Sequence, residues 1–147
     1  MTLTTQQMNA LASSVTSEWS TPPLFFAQLV AEFGEFTLDP CCTTENAKAP
    51  KFYTAEDNGL LQDWGKERVF MNPPYGRTVG QWIAKAYESS KAGALVVCLI
   101  PSRTDTAWWH RYVMKGDVRF IRGRLKFGGS SDNAPFPSVV VVFNPPI

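Results

Sequence analysis

The sequence predicts an α/β domain with a mostly parallel sheet and an antiparallel C-terminal portion, and three observations carry that expectation. Ala94 to Ile100 is an uninterrupted apolar run, the pattern of a strand covered on both faces. Shorter strand signals before it alternate with stretches whose apolar residues recur at helical spacing. Toward the C-terminus the alternation stops and strand signals follow one another.

Residues 1–16 are rich in Thr, Gln, Ser and Asn, with only Met8, Leu11 and Val15 at helical spacing, so they read as a flexible arm before a single domain over 17–147. Thr21 offers a capping hydroxyl ahead of Pro22, and Phe26, Leu29, Val30 and Phe33 mark one face before Gly34 stops the helix. That predicts a first helix over Pro22 to Phe33. Phe36 to Leu38 reads as a strand ending at Asp39-Pro40, Lys51 to Thr54 as a second, and Val69 to Met71 as a third. Val79, Trp82, Ile83, Ala86 and Tyr87 share a helical face closed by Gly93. After the buried run, a helix is expected from about Asp105 to Met114. Val118 to Ile121 and Leu125 to Phe127 then read as a hairpin turning at Gly123. A loop at Ser130 to Asn133 precedes the final strand, Val139 to Phe143.

A chain of 147 residues, 44% hydrophobic and 18% charged, has the length and composition of one globular domain. No apolar run reaches membrane-spanning length or resembles a signal sequence, so a soluble, cytoplasmic protein with no membrane partner is expected. Cys41, Cys42 and Cys98 lack metal-ligand spacing and a disulfide pattern, so no metal is expected and they read as small apolar packers. Residues 1–100 carry 7 Lys and Arg against 10 Asp and Glu, whereas residues 101–147 carry 7 against 3. This asymmetry suits a polyanion on the C-terminal side, although a solvated face has the same composition.

Asn72-Pro73-Pro74-Tyr75 follows the strand signal Val69 to Met71 and precedes Gly76. These residue types suit a conjugated amine, whose lone pair is drawn into its ring and which needs two acceptors to hold it. The Asn72 side-chain oxygen takes one N–H and the Pro73 carbonyl the other, while Pro73 and Pro74 fix φ and remove competing donors. Tyr75 supplies a flat face for stacking, worth on the order of 1 to 3 kcal/mol per base. The motif therefore points to methyl transfer onto nitrogen.

The order of pieces resembles the adenine-specific DNA methyltransferases, and most closely the short phage and prophage Dam-type family. The likeness spans most of the chain. It rests on Trp19-Ser20-Thr21-Pro22, Leu38-Asp39-Pro40, Asn46-Ala47-Lys48, Asp57-Asn58-Gly59-Leu60 with Trp64, and Asn72-Pro73-Pro74-Tyr75-Gly76. It continues through Pro101 to Thr106 with Trp109-His110, and Gly123 to Phe127 before Pro135-Phe136-Pro137-Ser138. The resemblance implies a Rossmann-like fold using S-adenosylmethionine, with Asp39 facing the cofactor's methionine ammonium and Trp19, Thr21 and Pro22 at its methionine end. Pro40 and Cys41 would form the cofactor turn, and Asp57 would lie near the cofactor's adenine amine. Asn46 would meet the ribose, with Glu45 and Glu56 as rivals. Double-stranded DNA in a bacterial host cell becomes the expected partner, contacted by Arg103, Arg122, Arg124 and Lys126, with Arg119 in the same basic hairpin.

The resemblance has a gap: methyltransferases usually follow the first acidic residue with a Gly-rich turn, and Asp39 to Thr44 contains no glycine. A non-catalytic DNA-binding relic of the fold is therefore one rival, and methylation of RNA adenine or protein glutamine is another. Sequence readout would come from loops, the terminal arm or a second subunit in a homodimer. Plainer readings stand beside each assignment: Asp39 as a turn former, Asp57-Asn58-Gly59 as a surface turn, Trp64 and Trp82 as core, and His110 as a solvated or packed side chain.

Overall fold

The computed structural model describes residues 20–127 and 134–147; the expected N-terminal arm, Trp19 and the Ser130 to Asn133 loop lie outside them. Six strands, β1 (Leu38–Asp39), β2 (Lys51–Phe52), β3 (Arg68–Met71), β4 (Leu95–Pro101), β5 (Asp117–Phe120) and β6 (Ser138–Phe143), form one sheet in the order β2-β1-β3-β4-β6-β5. The pairings among β2, β1, β3 and β4 are parallel, while β6 runs antiparallel to both of its neighbours, β4 and β5. The mixed α/β sheet, mostly parallel with a reversed strand near the C-terminus, is thus the architecture expected from the apolar runs.

Alternation along the central strands divides the core into two layers. Val69, Met71, Val96, Cys98, Ile100, Val139, Val141 and Phe143 face one way, into a cluster with Trp82, Ile83 and Ala86 of helix α2 (Val79–Lys91) and Trp109 of helix α3 (Ala107–Arg111). Phe70, Val97, Leu99, Val140 and Val142 face the other, against Leu29 of helix α1 (Pro23–Phe33) and the aromatic pair Phe127 and Phe136. Successive strand residues point to opposite faces, so only a strand apolar at every position can serve both layers. Val139 to Phe143 of β6 are apolar at every position for this reason, and all six residues of the strand are buried.

Three expectations need correction. The first helix starts at Pro23, with Pro22 in the flanking position, and Thr21 makes no cap: its hydroxyl is occupied elsewhere, as shown below. Gly34 does end the helix, at φ 82, a conformation that favours glycine. The helix expected over 105–114 is shorter, because α3 gives way after Arg111 to a 3-10 turn at Val113–Lys115. Thr106 caps α3 by accepting the Trp109 N–H. Finally, Leu125 to Phe127 do not form a hairpin with β5. β5 pairs with β6 instead, Val118 opposite Val141, because β6 offers the continuous valine run Val139 to Val142 along that edge. The 125–127 segment leaves the sheet, held by the Ala134 N–H donating to the Leu125 carbonyl at 2.7 Å and by burial of Phe127.

Candidate active site

From β1 the chain passes to β2 on one side and β3 on the other, so the strand order reverses between β1 and β3. At such a reversal the connecting segments diverge beyond the carboxyl ends of the strands and leave a crevice. A cavity of about 320 Å³ lies there, lined by Asp39 at the end of β1 and by Asn72 and Pro74 just after β3. Pockets for small ligands and cofactors commonly run from about 300 to 1,000 Å³.

Asp39 is 3% exposed. Its two carboxylate oxygens accept the backbone N–H groups of Cys41, at 3.3 Å, and Lys48, at 3.0 Å. Burial pushes its pKa up to about 6 against the pull of these bonds, so the carboxylate would gain from a cation in the cavity. Asn46 closes the same turn: its Oδ1 accepts the Thr43 N–H at 2.7 Å, and its Nδ2 donates to the Ser20 hydroxyl at 3.2 Å. The missing glycine of the turn is supplied from across the cavity. A Cβ on Gly59 would sit 2.0 Å from the Pro40 carbonyl oxygen, so the 58–60 backbone can approach the turn only without a side chain there. Trp64, buried and stacked on Trp82, donates its indole N–H to the Gly59 carbonyl and fixes that approach.

Asn72 donates through Nδ2 to the Thr21 hydroxyl at 3.0 Å. That bond ties the amine motif to the segment entering α1 and leaves the amide oxygen on the opposite edge. Pro73 is buried, Pro74 lines the first cavity, and Tyr75 and Gly76 line a second cavity of about 390 Å³ with Arg77, Arg103, Thr106 and Trp108. Tyr75 is braced edge-on by Phe127 and Phe136, with ring centroids 6.2 and 5.0 Å away, and its hydroxyl reaches the Leu99 carbonyl at 3.4 Å. Burial drives its phenol pKa upward, so the ring stays neutral. Residues 72–76 thus stand between two cavities, Asn72 and Pro74 bordering one, Tyr75 and Gly76 the other, and the buried Pro73 lining neither.

A family model for DNA N-6-adenine-methyltransferase (Dam) matches residues 8–145. The chain belongs to that family. It is also 37% identical over 92 residues to the DNA N-6-adenine-methyltransferase of Escherichia phage T1, a match covering 62% of this chain and 38% of that protein. YfdM of Escherichia coli (strain K12) is 42% identical over 67 residues, 42% of this chain and 74% of that protein.

Within this Dam-family domain, the structure gathers some of the expected site residues and separates others. Thr21, Asp39, Pro40, Cys41, Asn46, Asn72 and Pro74 line the first cavity, as does Cys42, so the adjacent cysteines are cavity wall rather than mere packing. Pro22 lies outside that lining, as do Glu45, Glu56 and Asp57. Asp57 is turned into its own loop, where its carboxylate accepts the Thr54 N–H at 2.9 Å and the Thr54 hydroxyl at 3.1 Å. Its neighbour Asn58 lines the cavity in its place, held in the left-handed region at φ 54. Arg103 borders the second cavity, whereas Arg122, Arg124 and Lys126 stand exposed on the segment that follows β5, Arg124 reaching the Ala134 carbonyl at 3.4 Å. Arg119 is paired with Glu32 at 2.5 Å and Asp117 at 3.3 Å. His110 contacts the Thr104 carbonyl at 2.8 Å at the surface. Sequence reasoning passed over Arg77 and Trp108, which line the second cavity, and read Gly59 only as part of a motif and a turn. Their signals were present in the arginine directly after the motif glycine and in the tryptophan beside Trp109.

Proposed function

We propose that this chain is an S-adenosylmethionine-dependent methyltransferase of Rossmann-like fold, acting on the exocyclic amine of adenine in double-stranded DNA in a bacterial cytoplasm. The observation that carries this reading is the partition: Asn72 and Pro74 border the cavity that holds Asp39, and Tyr75 and Gly76 border the one that holds Arg77 and Arg103. A donor and an acceptor bound in the two cavities would meet at residues 72–75. The first cavity fits the cofactor through its buried carboxylate, which burial holds above the usual carboxylate range, and through its open volume. The second fits a displaced base, with Tyr75 and Trp108 for stacking and the arginines for its flanking phosphates.

S-adenosylmethionine, when bound, supplies an electrophilic methyl on a sulfonium that departs as a neutral thioether. Asp39 holds the amino-acid end of the ligand, and Cys41, Asn58 and Trp82 wall in the remainder. The Asn72 side-chain oxygen and the Pro73 carbonyl accept the two N–H groups of the target amine and orient its lone pair toward the first cavity. Thr21 keeps the Asn72 amide from rotating. Positioning of this kind is worth up to about 7 to 11 kcal/mol of the barrier. No general base is required, because the nitrogen releases its proton to solvent once it has been alkylated.

The test is transfer of labelled methyl from the cofactor to duplex DNA, RNA and protein offered in parallel. Label recovered as N6-methyladenine from duplex DNA supports the proposal, and label in RNA or protein alone assigns a different acceptor to the same site. Repeated absence of calorimetric heat with S-adenosylmethionine and folded protein would instead identify a non-catalytic DNA-binding protein that has kept the fold. Sequence readout falls to loops around the second cavity or to a second copy of the chain, and the size of the protein–DNA complex in solution separates these.

A further inference from the structure

Two charged side chains line the first cavity among the described residues, Asp39 and Lys48. They are neighbours, since the Lys48 N–H donates to the Asp39 carboxylate at 3.0 Å. The Lys48 ammonium does not fold back onto that carboxylate. It lies 5.5 Å above the ring of Phe26 on α1, and among the described residues it forms no ion pair. The cavity wall therefore includes a carboxylate rooted at the end of β1 and, next to it, a lysine whose ammonium reaches toward the first turns of α1.

An α-amino acid presents the mirror image of that pair, an ammonium and a carboxylate on one carbon. Asp39 alone answers half of such a ligand. A receptor for the ammonium only would also accept decarboxylated amines, whereas adjacent opposite charges select the zwitterion. We propose that Lys48 binds the α-carboxylate of the cofactor's methionine end while Asp39 binds its ammonium, so that the two form a zwitterion receptor. Phe26 holds the ammonium by a cation–π contact, which occupies its ring-facing side and leaves N–H donors on the other side for a ligand. This inference rests on the proposed cofactor reading. The competing role for Lys48 is a brace on Phe26 with no ligand contact.

The experiment compares two ligands by calorimetry: S-adenosylhomocysteine, which has the amino-acid group, and 5′-methylthioadenosine, which lacks it. Lys48→Met keeps the apolar stem over Phe26 and removes the charge. We expect it to weaken S-adenosylhomocysteine about tenfold or more while leaving 5′-methylthioadenosine within about twofold, with Lys48→Arg restoring most of the difference. Retained binding of 5′-methylthioadenosine also shows that the variant is folded. Unchanged affinity for both ligands, or equal loss of both, would overturn the role of Lys48. If the unaltered protein binds neither ligand, the cofactor reading itself fails, a result distinct from either of those.

Discussion

The two cavities on either side of residues 72–76 are built from opposite materials. The first is set deep at the strand reversal and holds a nearly inaccessible carboxylate, with the Asn46 side chain fixed by the Thr43 N–H and the Asn72 side chain by the Thr21 hydroxyl. The second contributes Arg77 and Arg103, both exposed, and the partly covered rings of Tyr75 and Trp108. A preorganised cavity around a buried carboxylate suits a small ligand that carries an ammonium, whereas exposed cations around aromatic faces suit a polyanion with bases to stack. The motif between them belongs to both, so substitutions should sort by the cavity they face.

The largest effect is expected at the partition itself. Asn72→Ala should lower kcat by roughly 10² to 10³, the usual cost of removing one oriented hydrogen-bonding group at a reacting centre, with cofactor affinity changed only a few-fold. Equal losses in kcat and cofactor binding would mean that Asn72 only supports the wall.

Next in size is Asp39, which should act on the first cavity alone. Its free-state pKa of about 6 predicts cofactor affinity that rises roughly tenfold per pH unit up to that value and then levels off. The unliganded protein should behave in the opposite sense. Because the folded pKa lies above the unfolded one, the native state binds the extra proton between about pH 4 and 6, and stability falls as pH rises through that window. Asp39→Asn should flatten both profiles and weaken the cofactor by about a hundredfold. Binding titrations and thermal unfolding between pH 4.5 and 7.5 read both slopes, and parallel rather than opposed trends would count against a cation-binding role.

These contrasts also show what could be read from the residues. The sheet was legible because strands buried on both faces carry a signal at nearly every position, as in Leu95–Pro101 and Val139 to Phe143. Asn72 to Tyr75 could be placed at a strand end for the same reason. What remained hidden depends on contacts between distant segments. Thr21 has the local chemistry of a cap, yet its hydroxyl goes to Asn72, 51 positions away. The glycine missing after Asp39 is found at Gly59, which only the fold brings against Pro40. Leu125 to Phe127 carry strand-like residues, but β6 out-competes them for β5 because it buries six consecutive side chains. Arg119 and Arg103 look alike in sequence, and only the structure shows one already neutralised by Glu32 and Asp117.

A smaller effect should follow at Tyr75. Tyr75→Ala removes the stacking face and should weaken DNA by about 1 to 3 kcal/mol, or 5- to 150-fold in KM, while leaving cofactor affinity in place. Tyr75→Phe loses only the long hydroxyl contact to Leu99 and should stay within a few-fold of the parent. A Phe variant as impaired as the Ala variant would move the function of Tyr75 from its ring to its hydroxyl.

The smallest effect, and the sharpest on the second cavity, is electrostatic. If Arg77 and Arg103 each neutralise a phosphate beside the displaced base, Arg77→Gln and Arg103→Gln should each lower the slope of log K against log salt by about 0.9, uniformly across DNA sequences. Arg119→Gln supplies the contrast, because its guanidinium is already engaged by Glu32 and Asp117 and should leave the slope unchanged. Fluorescence anisotropy with a labelled duplex at several salt concentrations measures all three. Equal slopes for every variant would detach the second cavity from the phosphate backbone, and a change at Arg119 alone would shift the DNA path toward the β5 edge of the sheet.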